Sequence, residues 1–457
     1  MPPTRYITGT AQTVLLGLVF FCVPGMWNSI TSMAGGLGDA RTSSMATAAT
    51  YALYAVASLV APSICTSLGA RATLFLGSLG YSVYVASLLL YHLGVVPSEL
   101  VVAAGALNGV CAGLLWVANG VLLYTYAGVD GRGFLFGVFW VVFNLGAVVG
   151  GVLSFAENFE HTGAKASTST FATFLSLMVL GALLTFALAP PGRVVRADGS
   201  AAPTQPPIPL RTELVAMGAL LVDRRTVALA PLFLFSNWFY AFQFTCFNAR
   251  LFDARSQGLN NAVYWGMQMG GALLFGRWLD AASVAPRRRA FKALAALSAL
   301  VALTWSLALW VAASYGLDGA ATAQPTLDAI DDPGEWALPF AIYAGWGAID
   351  AFLQTFSFWI IGQLDDDPRL LGRFTGVYRC LQSAGAAVSW ALSTYSWGCD
   401  GACAGAVPPT AQAWVNVALG VASLPGALWL ATTLGAEPRR CAPLADGDGS
   451  RDSSGEA

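Results

Sequence analysis

Two ionisable side chains, Asp350 and Arg379, stand inside long apolar stretches of this 457-residue chain. A charge at mid-membrane costs about 2.5–3.5 kcal/mol on insertion scales, so one that persists faces a cavity or a partner. The stretches are consecutive and therefore antiparallel. Asp350 lies roughly 12 residues from the inner end of its stretch and Arg379 about 8, a depth mismatch near 6 Å that an extended Arg side chain bridges. Gln354 shares a helix face with Asp350 by i, i+4 spacing, and Gln382 with Arg379 by i, i+3. Two readings follow. Either Asp350 carries protons or cations and is alternately paired with and released from Arg379, or the two form a static buried pair that fixes helix packing.

Other polar residues at similar depth are neutral: Asn28, Asn108, Asn119 and Asn144. Singly, such amides are interhelical glue worth about 0.6–2 kcal/mol; facing one axis, they line a ligand cavity. Trp116, Trp140 and Tyr378 then supply apolar or cation–π walls, or else simply pack. Arg71 and Arg132 end short loops at equivalent helix entrances, as parts of an inner gate or as orientation signals. Arg287, Arg288, Arg289 and Lys292 form a basic run explained by anchoring, with anionic-lipid binding as the lesser option. Asp365, Asp366 and Asp367 cap the following helix or pair with Arg369 and Arg373. Cys399 and Cys403 are close enough in sequence for a local disulfide if their loop faces an oxidising compartment. His92 and His161 are isolated, so no metal site is expected. Neither a nucleotide-binding loop nor a hydrolase or metalloprotease motif is evident, so no enzyme and no cofactor are expected.

The elements that position these residues follow from composition. Hydrophobic residues are 56% of the chain and charged residues 11%, against about 25% charged in soluble proteins. The solvent is therefore lipid, and a net charge of −2 gives no reason to expect a nucleic-acid partner. A span needs about 20 apolar residues. That ruler finds twelve segments, at roughly 10–34, 45–67, 73–92, 99–126, 133–155, 169–189, 227–248, 260–280, 290–314, 336–362, 371–393 and 409–434. Pro24, Pro62 and Pro231 predict kinks. With both termini on the cytoplasmic side, 18 of the 23 basic residues face inward, 4 face outward and Arg379 is inside a span, a strong positive-inside bias.

The domain reading is a short cytoplasmic N-terminus (1–9), a six-helix bundle (10–189), a Pro-rich cytoplasmic linker (190–226), a second six-helix bundle (227–434) and a polar cytoplasmic tail (435–457). An internal repeat supports the division. Gly137-Val138-Phe139 aligns with Gly376-Val377-Tyr378 at an offset of 239, which also aligns Gly146-Ala147 with Gly385-Ala386 and Val149 with Val388. Parallel repeats of this kind place a substrate path between the halves.

Specific motifs go further. Pro24-Gly25-Met26-Trp27-Asn28, Gly113 to Gly120 with Tyr124, Phe139-Trp140 with Phe143-Asn144-Leu145-Gly146, Asp350-Ala351 with Gln354-Thr355 and Trp359, and Tyr378-Arg379 with Gln382-Ser383-Ala384-Gly385 carry a resemblance. The chain resembles the major facilitator superfamily, and within it the Unc-type, ion-channel-regulatory-like branch, over about Ile7 to Leu434. The superfamily's inner-loop motif is reduced to Leu68-Gly69-Ala70-Arg71, without its Asp.

The resemblance implies an all-α membrane protein of twelve helices in two pseudo-symmetric bundles. For function it implies a secondary transporter of a small solute or ion working by alternating access. The alternative is a non-transporting regulatory or trafficking partner of another membrane protein. The expected site is Asp350, Arg379, Gln354, Gln382, Asn28, Asn119, Asn144 and Trp116, in a multi-pass protein of the plasma membrane or an endomembrane.

Overall fold

The computed structural model describes residues 7–32, 40–127, 131–157, 168–203, 209–281, 283–319, 327–397 and 407–435. These fold as helices with short connections. The first group is α1 (Gly9–Phe20), α2 (Met26–Ser32), α3 (Ala40–Leu68), α4 (Ala70–His92), α5 (Ser98–Tyr126), α6 (Arg132–Glu157) and α7 (Thr168–Leu184). A linker carries α8 (Leu210–Leu221). The second group is α9 (Arg224–Ala241), α10 (Ala249–Leu251), α11 (Ala254–Leu279), α12 (Pro286–Ser314), α13 (Pro333–Ile361), α14 (Pro368–Trp397) and α15 (Pro409–Thr433).

Each of the twelve apolar segments coincides with one of these helices or a consecutive set. Nine stretches among the described residues are long and apolar enough to cross a membrane, with Phe171–Ala187 a shorter apolar helix. The protein is thus an integral membrane protein. Two further long helices, α11 and α14, fall short of that apolarity for a shared reason. They carry Asn260, Asn261, Gln268 and Arg277, and Arg373, Arg379 and Gln382, and these two helices supply much of the polar interior.

Helix ends obey local chemistry. The Thr8 hydroxyl accepts from Ala11 N (3.3 Å), and the Asp223 and Asp253 carboxylates accept from Arg225 N and Ser256 N (2.8 and 3.0 Å), capping α1, α9 and α11. Pro286, Pro333 and Pro409 open α12, α13 and α15, where a missing N–H costs nothing. Gly69, at φ +81°, turns α3 into α4 by itself.

The kinks take a specific form. Around Pro24 the chain winds as a π-helix over Phe21–Gly25, between α1 and α2. A second π-helix, Phe242–Asn248, separates α9 from α10. The first and seventh predicted spans are therefore both broken, and π segments recur at functional sites. Pro62 and Pro231 stay within α3 and α9.

Without a hydrophobic drive between helices in lipid, close backbone approach must hold them together. Gly105, Gly109 and Gly113 make one stripe of α5 that lies on α3: a Cβ on Gly109 would stand 2.1 Å from Thr50 O, and one on Gly105 2.6 Å from Ala46 O. Between the groups, α6 lies along α11 through Gly133, Gly137 and Gly151, and Gly376 of α14 meets Ser58 of α3. Gly137 and Gly376, paired by the repeat, thus make corresponding contacts across the two groups. Replacing Gly109 by Val is expected to destabilise by at least the roughly 1–3 kcal/mol of ordinary overpacking, because the obstacle is backbone. Gly218→Ala on the exposed face of α8, where nothing lies within 4 Å, should melt at or above wild type. Thermal unfolding in detergent compares the two.

Candidate functional site

A cavity of about 40 Å³ lies between the first and second helix groups. It is bounded on the first side by Trp27 and Asn28 beside the π segment, Tyr51 and Tyr54 of α3, Tyr81 of α4, Trp116 of α5, and Trp140 and Phe143 of α6. On the second side stand Asn237 and Tyr240 just before the other π segment, Trp265 of α11, Gln354 of α13, and Arg379 and Gln382 of α14. The wall is asymmetric: aromatic from the first group, largely polar from the second. The repeat is visible even so. At the offset of 239, Trp140 corresponds to Arg379 and Phe143 to Gln382, and all four line the cavity.

Asp350 is fully buried beside this cavity. Its Oδ2 accepts from Tyr240 Oη (2.6 Å), Gln268 Nε2 (2.6 Å) and Tyr264 Oη (3.3 Å), and its Oδ1 from Gln354 Nε2 (3.3 Å). The expected direct pair with Arg379 is absent. Two amides stand between them instead. Gln354 Oε1 accepts from Gln382 Nε2 (3.2 Å) and from Tyr378 Oη (2.7 Å), and Gln382 Oε1 accepts from Arg379 Nη1 (2.5 Å). Gln354 and Gln382, expected at the site on the faces that their spacing gives, are the bridge. An amide both donates and accepts, so it can join a carboxylate to a guanidinium that the helix depths keep apart.

Arg379, 3% exposed, lies over aromatic faces, its Cζ 4.5 Å from the Trp116 ring centroid, 5.1 Å from Tyr378 and 5.2 Å from Phe358. The cation of the expected cation–π wall is thus the protein's own. Trp116 Nε1 donates to Tyr81 Oη (3.1 Å), and Trp140 Nε1 to Gln268 Oε1 (2.9 Å), which links the aromatic wall to the residues around Asp350.

The four amides do not line one cavity together. Asn28 does; Asn108, Asn119 and Asn144 do not. Asn108, Ala112, Trp116 and Asn119 form one inward stripe of α5 by helical spacing, but the cavity reaches only Ala112 and Trp116, leaving the amides beyond its ends. Asn108 and Asn119 are fully buried with no hydrogen-bond partner among the described residues, and Asn144 donates to Trp140 O at 3.0 Å.

Arg71 is exposed in the first turn of α4, beside a recess with Tyr126 and Pro190. Arg132 begins α6, but its side chain lies outside the described residues, as do Cys399 and Cys403. At this linker side other residues join the two groups. The Asp280 carboxylate accepts from Phe134 N (2.8 Å) at the start of α6, and Tyr124 Oη donates to Phe358 O (2.8 Å). Asp367 caps α14, its carboxylate accepting from Arg369 N (2.9 Å), which is one of the two roles expected for the three aspartates; Arg373 is bound on the other side. Its Nε and Nη2 donate to Glu213 of α8 at 2.8 and 2.7 Å, both partners buried. At the opposite side Asn261 Nδ2 donates to Ser32 O (3.0 Å), so the groups touch beyond both ends of the cavity.

Tyr240, Tyr264, Gln268 and Glu213 had not been singled out. The first three are polar side chains within apolar segments, and that is the signal that could have found them. Glu213 lies in the Pro-rich stretch that the sequence reads as a linker.

The helix order and packing match solved structures. An outward-facing structure of FucP, a major facilitator superfamily transporter, superposes with a TM-score of 0.63 over 93% of this chain and 99% of that one, at 12% identity. The fold is that of the major facilitator superfamily. A family model described as ion channel regulatory protein UNC-93 matches residues 39–262. UNC93-like protein 1 of Arabidopsis thaliana is 35% identical over 423 residues, covering 92% of this chain and 89% of that protein. An UNC93-like protein of Schizosaccharomyces pombe is 32% identical over 392 residues, 85% and 77% of the two chains. The chain belongs to the UNC-93 family.

Tyr240→Phe removes one of the two shortest donors to Asp350. It is expected to cost about 1–3 kcal/mol of stability, the usual loss for a buried acceptor deprived of a partner. An unchanged thermal midpoint in detergent would remove Tyr240 from the network.

Proposed function

We propose that this protein is a secondary transporter of a small solute, with twelve spans in two six-helix bundles that rock about the central cavity. Both termini and the linker face the cytoplasm, where the basic residues concentrate. The observation that carries the reading is the buried chain Asp350–Gln354–Gln382–Arg379. A carboxylate and a guanidinium joined only through amides, beside a cavity between two repeats, are groups that can exchange partners as the bundles move. In this role Asp350 is the coupling carboxylate, Arg379 and the glutamines with Asn28 and Trp116 form the solute site, and Arg71 and Arg132 belong to the linker-side gate with Asp280. Asn119 and Asn144 support the cavity from beyond its ends. The test is uptake of a solute panel into vesicles with and without a pH gradient. Asp350→Asn is expected to keep the fold and lose the response to the gradient; a variant with wild-type gradient dependence would sink the coupling role.

A second reading is favoured by one feature. An apolar groove of about 320 Å³ runs between α9, α12 and α15, with Gly420, Ser298 and Ser423 among its lining residues. Small residues are what a docking membrane helix needs, and the family model's description is of a channel regulator. On this reading the protein binds another membrane protein without moving a solute. Gly420→Trp fills the groove, and should disrupt such a complex in co-purification while leaving any uptake intact.

A further inference from the structure

We propose that Arg379 is the binding point for the carboxylate of a flat, apolar organic anion. The inference rests on the transporter reading for what becomes of the ligand, but not for its binding.

The guanidinium carries five N–H groups. In this fully interior position Nη1 donates to Gln382, while Nε and Nη2 have no acceptor among the described residues. No carboxylate takes that place. Asp350 is already engaged on both oxygens by Tyr240, Tyr264, Gln268 and Gln354. Buried donors left unmatched are expensive, and a charged group makes them more so.

The same helix shows what this edge of an arginine is for. Six residues earlier Arg373 turns its Nε and Nη2 to the two oxygens of Glu213, a parallel fork. Arg379 presents the corresponding edge without such a partner, and it lines the cavity. A planar two-oxygen anion matches that fork in shape and charge.

The walls choose the rest of the ligand. Trp116 covers the guanidinium face, and Trp27, Tyr51, Tyr54 and Trp140 continue the surface from the first helix group. An aromatic wall facing a polar one that carries a single charge, Arg379, suits a ring-bearing body with a charged group. A cation is disfavoured, because it would meet Arg379 while the carboxylate that could receive it is occupied. At about 40 Å³ the closed cavity takes little more than the charged group, so the ring enters as the bundles part.

Benzoate, benzamide and benzylamine share a ring and differ in charge, and equilibrium dialysis against the protein in nanodiscs ranks them without any variant. Benzoate is expected to bind at least tenfold more tightly than the other two. Arg379→Gln should abolish this preference, and Arg379→Lys, which keeps the charge but not the fork, should weaken benzoate at least tenfold. Equal affinities, tighter benzylamine, or benzoate binding that survives Arg379→Gln would overturn the proposal. So would displacement of benzoate by equimolar chloride, which would mark a site for simple anions. Benzoate that binds but is never taken up would leave the site standing and remove transport. Asp350-dependent uptake of a neutral or cationic solute without benzoate binding would do the reverse.

Discussion

Hydrocarbon cannot solvate a charge, so a protein that keeps charges at that depth must supply their solvent itself. Much of this architecture answers that constraint. Asp350 is surrounded by two phenols and two amides, Arg379 by an amide and three aromatic rings. Those donors and rings come from α5, α9, α11, α13 and α14, so the site exists only when both helix groups are assembled around it. The glycine contacts serve the same end. Where α5 meets α3 and α6 meets α11, backbone touches backbone, and this compactness keeps lipid out of the polar interior.

The repeat explains why the cavity has one aromatic and one polar wall. Gly137 and Gly376 stand at aligned positions and make corresponding close contacts, α6 on α11 and α14 on α3. The aligned positions that face the cavity differ. Where the first copy has Trp140 and Phe143, the second has Arg379 and Gln382. A π segment lies beside the cavity on each side, next to Trp27 and Asn28 on one and to Asn237 and Tyr240 on the other.

Much of this was legible in the chain because lipid imposes a one-dimensional rule: a helix must be about 20 apolar residues long wherever it lies. The rarity of charge likewise made Asp350 and Arg379 conspicuous. Partnership was not legible. Helical spacing says which face Gln354 occupies, but not which helix lies opposite, and Tyr240 is 110 residues away from the carboxylate it serves. The amides show the opposite failure. Asn119 and Asn144 point inward as their spacing suggests, yet a cavity of finite height ends before it reaches them. Glu213 was hidden by its surroundings, since a short helix among prolines has no long apolar run to announce it.

The pairing of Glu213 with Arg373 gives the linker a mechanical meaning. Arg373 and Arg379 ride on one rigid rod, six residues or about 9 Å apart along its axis. With α8 clamped to the end of that rod, α14 cannot tilt at its cavity-facing turn without either unlocking the clamp or dragging the linker with it. The segment that joins the two halves in sequence is thereby also fastened to the second of them in space, through a buried ion pair on the same rod that carries the cavity's cation.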